Sequence, residues 1–250
     1  MQPSPAEIAR TLAAGRLPGT AHVACRPGPI AVRHATDPMG RILLLSTGSD
    51  PIAGALRPVD GADDVAVVLE ATDVPPVAGS PTHGQVWVSG WVSPLDGAAA
   101  RMAALDFADV HACPDLLDVG HGATMFRMEV AEVRLQRGGV TTEVDPDEYA
   151  AAEPDPLGGI ESDLLVDLAD HHRAEMTAFI RRQLRDAGHR SLAAEPQVVR
   201  MDRYGFVVAL GPQGPRARLA FPAPVRDRAE LARLLHPVLC RRCCAPPTAA

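Results

Sequence analysis

The chain has 250 residues, 46% of them hydrophobic, and a formal net charge of −7. All 24 basic residues are arginine, which excludes a Schiff-base or pyridoxal-phosphate lysine and a Walker-type phosphate lysine. The acidic balance argues against a nucleic-acid partner, and apolar runs such as 42–45 and 65–69 are far too short to span a membrane.

Any anion site must therefore use Arg, His, backbone N–H groups or a helix N-terminus. Only 4% of residues are aromatic, so the core must be built from Val, Leu and Ala. The five cysteines, three of them crowded near the C-terminus, do not form a disulfide framework. Residues 1–10 lack the layout of a secretion signal. The expectation is a reduced, cytoplasmic protein.

Ser4-Pro5-Ala6-Glu7 reads as a capping box opening a short amphipathic helix, closed by Gly15 and Pro18-Gly19. A meander follows, with strands at 22–25, 30–35 and 42–46 and Gly/Pro turns between them. Asp50 precedes a short helix at 51–56. Residues 65–70 are almost continuously apolar, as in a strand buried on both faces. Residues 85–92 alternate, with Val86 and Val88 opposed to Trp87 and Trp91. A helix at 95–110 places Met102, Leu105 and Ala108 on one stripe, with Asp96 as its cap. Residues 124–135 alternate again, with Met128, Val130 and Glu132 on one face. Six or so strands with one intervening helix suggest a small closed antiparallel barrel.

Residues 144–159 are rich in Asp, Glu and Pro and read as an acidic, stiffened linker. A long amphipathic helix at 160–187 ends at Gly188. Strands at 197–201, 206–210 and 216–221 follow, the first two joined by the turn Asp202-Arg203-Tyr204-Gly205. A Leu-rich helix at 227–240 closes the pattern. The expected fold class is α+β: an antiparallel split β-barrel (1–143), the linker (144–159), a small α-β-β-β-α domain (160–240) and a tail (241–250).

Three segments in order carry a resemblance: Leu168–Met176 with its paired His171-His172, the Asp202–Phe206 turn, and Arg218-Leu219-Ala220-Phe221-Pro222. Together they resemble the C-terminal domain of HugZ-type haem oxygenases. That domain also follows the FMN-binding split barrel in plant proteins that bind glutamyl-tRNA reductase. His172 matches the family's final His, whereas Ala169 and His171 replace its Asn and Asp. The resemblance implies a homodimer with a ligand cleft between barrels. Haem is the implied cofactor, with FMN behind it.

Candidate site residues follow from chemistry and resemblance together. His172 stands at the family position, or else is a core His between Leu168 and Met176. Arg216 and Arg218 share a strand face, where two guanidinium groups can hold carboxylates or phosphate, or simply meet solvent. Arg33 is a third anion contact, in the barrel. His236 and Cys240 share a helical face, with Cys243 and Cys244 one turn further on and Arg241 and Arg242 favouring thiolate. The family supplies its axial His from the C-terminal tail. No His lies in 241–250 here, so His236 or Cys240 becomes the candidate iron ligand. Three functions stand open. One is a haem-binding, haem-oxygenase-like protein. The second is a non-catalytic regulator of tetrapyrrole metabolism. The third is a flavin-binding split-barrel oxidoreductase.

Overall fold

The computed structural model describes residues 1–58, 62–188, 194–211 and 214–240. The chain divides into two compact units. The barrel unit is Ser4–Val74 with Thr82–Pro154. The C-terminal unit joins Met1–Pro3, Pro75–Pro81 and Asp155–Ala250.

The barrel unit opens with α1 (Pro5–Ala13), where the Ser4 hydroxyl accepts from the Glu7 N–H and the Glu7 carboxylate accepts from the Ser4 N–H. Eight strands follow: β1 (Gly19–Val23), β2 (Ile30–Val32), β3 (His34–Thr36), β4 (Ile42–Thr47), β5 (Val65–Thr72), β6 (Gln85–Pro94), β7 (Ala123–Arg137) and β8 (Val140–Val144). They pair antiparallel in the order β2-β1-β5-β6-β7-β4-β3, with β8 on β7. β2 and β3 lie at opposite ends of that order, yet only Arg33 separates them in sequence. One bent segment thus forms both edges, and the sheet curls round to meet it. The antiparallel split barrel expected from the sequence is the fold observed.

The barrel interior is aliphatic, with Leu12, Ile42, Leu44, Leu69, Val86, Val88, Met128 and Val133 fully or nearly fully buried. α1 fills one side of it, and α2 (Pro51–Ala55) and α4 (Pro146–Ala151) add Ile52 and Tyr149. A second core lies on the outer face of β3, β4 and the start of β7, under α3 (Gly97–Ala108). This is why every residue from Ile42 to Ser46 is buried.

The strict alternation expected along 124–135 is broken. A bulge opposite Ser89 and Gly90 inserts Ala131, so Met128 faces the core before it and Val133 and Leu135 after it. A Cβ on Gly90 would lie 2.1 Å from the Glu129 carbonyl oxygen, so only glycine permits this close approach.

The C-terminal unit contains α5 (Glu161–His171), α6 (Arg173–Asp186), β9 (Gln197–Asp202), β10 (Gly205–Ala209), β11 (Arg216–Ala220) and α7 (Arg228–Leu239). The strands form a sheet in the order β11-β10-β9. Leu165, Met176, Ile180, Leu184, Met201, Leu231 and Leu235 pack in its core, where Phe206 and Phe221 meet edge to face at 5.0 Å. The single helix expected over 160–187 is two, broken at His172 (φ −127°, ψ 17°).

The stretch expected as a linker is not a free one. β8 ends in it, the Asp145 carboxylate caps α4, and Tyr149 and Leu157 are fully buried in the two separate cores. Arg241, Arg242, Cys243 and Cys244 lie outside the described residues.

Candidate functional site

The apolar run of β5 was read as buried on both faces. The structure covers only one. Val67, Leu69 and Ala71 point into the barrel, while Ala66, Val68 and Glu70 are half-buried on its outside. Outward alternation in β6 places Trp87, Ser89, Trp91 and Ser93 beside them, opposing Glu70, Val68 and Ala66 in register. Trp91 is 53% exposed. On β1, His22 stands directly opposite Val68. These positions form one outer sheet face with an apolar centre.

The face has a polar device inside it. His22 Nε2 lies 3.1 Å from Glu70 Oε2, with the imidazole 45% and the carboxylate 29% exposed. With Nε2 donating to the carboxylate, Nδ1 keeps its lone pair. A carboxylate behind an imidazole fixes the ring's tautomer and orientation, which is how metal-binding histidines are commonly supported. A single imidazole suits a metal that arrives with its own ring of ligands. Charges border the face along β7: Arg127 donates to Glu129 at 2.9 Å, and Arg134 pairs with Glu132.

The residues singled out from the sequence fall in both units. Arg33 sits at the corner between β2 and β3, where Nη2 donates to Asp115 at 2.7 Å and Nη1 to the Cys113 thiol at 3.4 Å. The Asp115 hydrogen bond holds its guanidinium more firmly protonated, against the opposing effect of partial burial. Arg216 donates to the Gly79 carbonyl at 2.8 Å. Arg218 donates to Asp202 and to the Met1 carbonyl. These three guanidinium groups thus serve protein acceptors. His172 is half-exposed at the break between α5 and α6. His236 is exposed on the last turn of α7, and the Cys240 N–H donates to its carbonyl at 2.9 Å. Arg33 belongs to the barrel unit, and the other five to the C-terminal unit.

Sequence reasoning missed His22 and Glu70. The signal was present in part: alternation places Ala21 and Val23 on one side of β1 and His22 on the other. The pairing of β1 with β5, which brings Glu70 to it, had no local signal. The sequence also did not single out His34. Its ring is buried beneath Gly19, with Nε2 unpartnered, and burial aided by His111 pushes its pKa down to about 4.

No protein-family model and no curated protein matches the sequence. Among solved structures, a heme binding protein from Mycobacterium smegmatis aligns over 96% of this chain and 97% of its own, at 21% identity and a TM-score of 0.66. A protein of unknown function from Agrobacterium tumefaciens aligns over 96% and 97%, at 14% identity and a TM-score of 0.42. An FAD and heme binding protein from Mycobacterium smegmatis aligns over 58% and 75%, at 11% identity and a TM-score of 0.34. The first of these shares the fold of the whole chain.

Proposed function

We propose that this chain binds haem on the uncovered face of its barrel sheet, with His22 as the iron donor and a second copy of the chain covering the other side. The observation that carries this is the His22–Glu70 pair set in an outer sheet face where Trp91 is exposed and Ala66, Val68 and Trp87 are half-buried. Support comes from the whole-length likeness to a protein described as haem-binding.

The residues fit the group. Haem asks for a donor to its iron, a flat apolar surface for its ring and cations for its propionates. His22 supplies the donor, Ala66, Val68, Trp87 and Trp91 the surface, and Arg127 and Arg134 the guanidinium groups at its border. Glu70 orients the imidazole, and the tryptophan rings exclude water from the ring face. Bound haem supplies redox chemistry at its iron. A homodimer closing over the face explains why β5 is apolar on both sides.

Haem-oxygenase-like activity, implied by the HugZ resemblance, is the finer form of this proposal. One preparation tests both. Titration with haemin is expected to give a saturable Soret shift at micromolar concentration. His22→Ala is expected to weaken it by at least about tenfold, as loss of a metal ligand or of the group that orients it does. His236→Ala and Cys240→Ala, the donors expected from sequence, should leave it unchanged. A missing Soret shift would sink the proposal, and an unchanged spectrum in His22→Ala would remove His22 from it. Verdohaem or biliverdin absorbance on adding reductant and air marks a degrading enzyme. A stable haem spectrum under those conditions marks a binding or regulatory protein.

A further inference from the structure

The break between α5 and α6 opens a cleft on the C-terminal unit. It lies between those helices and the start of β9 and encloses about 110 Å³. At roughly 10–15 Å³ for each water-sized group, it takes about eight to ten non-hydrogen atoms. Leu165, Leu168, Met176 and Ile180 form its floor, all buried core residues.

The rim carries one charge of each sign. Arg173 opens α6, and its Nε donates to the Ala169 carbonyl at 3.2 Å. That bond ties the guanidinium to the cleft and leaves both Nη groups without an acceptor among the described residues. Glu195 also lines the cleft, and its Oε1 accepts from the Thr177 hydroxyl, one turn along α6 from Arg173, at 3.2 Å. Neither charge has an ion-pair partner among the described residues, and both line one small cleft with an apolar floor.

We infer that this cleft binds a small aliphatic α-amino acid, such as leucine. Its carboxylate meets Arg173, its ammonium meets Glu195, and its side chain lies on the apolar floor. A free carboxylate lacks a group for Glu195, and a free amine lacks one for Arg173. A zwitterion of this size satisfies both. This site is separate from the barrel face and stands whether or not haem binds there.

Calorimetric titration of the full chain tests it with four compounds: L-leucine, isovalerate, isoamylamine and glycine. L-Leucine is expected to bind saturably, one per chain. Isovalerate, isoamylamine and glycine should each bind at least about tenfold more weakly, as loss of a charge-assisted bond or of the apolar contact requires. Arg173→Gln and Glu195→Gln should each weaken leucine by a similar factor. Arg173 and Glu195 are both exposed at the rim, so the melting temperature of both variants should stay at the parent value. Thr177→Trp, which fills the mouth, should abolish binding. The inference falls if leucine gives no heat up to about 10 mM, weaker than any useful site. It also falls if isovalerate binds as well as leucine, or if the folded rim variants bind leucine normally.

Discussion

Glu161 and Arg200 form an ion pair with side chains only 8% and 5% exposed. Arg200 Nε donates to Glu161 Oε1 at 3.2 Å and Nη2 to Oε2 at 3.0 Å, in a forked pair. The Met201 N–H also donates to Glu161, and Arg200 Nη1 donates to the Pro81 carbonyl. Glu161 opens α5, where the helix dipole favours a negative charge. Burial makes each charge costly alone and tolerable together. Glu161→Ala is therefore expected to destabilise by about 3–5 kcal/mol, read from urea unfolding, because it strands a buried guanidinium. Replacing both partners together, Glu161→Leu with Arg200→Met, should recover most of that loss. Nothing local in the sequence joins these residues. Arg200 looks like a polar break in an apolar strand, and its partner stands 39 positions away.

Elements whose signals are local were legible: the Ser4 capping box, the Leu-rich helix α7 and the Asp202–Gly205 hairpin are all in place. α3 was legible as a helix, but its orientation was not. Met102 and Leu105 are 60% and 63% exposed, and the buried face is Ala100, Ala103 and Phe107. Ala100 and Ala103 let the helix lie close on the outer sheet core, with Phe107 as its one large buried side chain, while Met102 and Leu105 face out. Met102→Gln and Leu105→Gln should each change stability by less than about 0.5 kcal/mol, measured by denaturant midpoint. A loss of several kcal/mol would mean that this side is covered in solution. β8 had a local signal that went unread. Gly138 and Gly139, at φ 58° and 81°, make the tight turn that folds it back on β7. The break at His172 had none, since the apolar stripe runs on through both helices. Of the candidate site, the two tryptophans on the outer face of β6 were legible, and His22–Glu70 was not. The first needs only period-two alternation; the second needs β1 placed beside β5 across 48 residues.

At the scale of the molecule, one buried group in each unit is expected to make acid act on the two with opposite sign. His34, in the barrel unit, has its pKa pushed from 6.5 to about 4 by burial. Its neutral form is stabilising above pH 6.5, and that contribution is lost as pH falls towards 4, on the order of 3 kcal/mol in all. Asp155, in the C-terminal unit, has its pKa raised from 3.8 to about 6 by burial, against hydrogen bonds from Leu157 and Arg203. A raised acid pKa has the reverse sign. Its ionised form costs on the order of 2–3 kcal/mol above pH 6, and that cost is relieved on acidification towards pH 4. Amide exchange, corrected for intrinsic rates, should therefore show barrel protection falling and C-terminal protection rising between pH 6.5 and 4.5. Asp155→Asn should flatten only the C-terminal slope. Parallel slopes in both units would contradict these assignments.

The three-piece make-up of the C-terminal unit bears on how such a protein can be inherited and cut. Ser80 donates to the Val199 carbonyl, Arg200 to the Pro81 carbonyl and Arg216 to the Gly79 carbonyl. These partners lie in the β5–β6 connection, more than a hundred residues upstream. A ribosome that has finished the barrel has already made a piece of the next unit, which waits for the rest of the chain to arrive. No single exon boundary or protease cut separates the two units. A fragment beginning at Asp155 lacks the acceptor that one of its two buried ion-pair partners needs, so recombination can exchange this unit only together with a loop of the barrel.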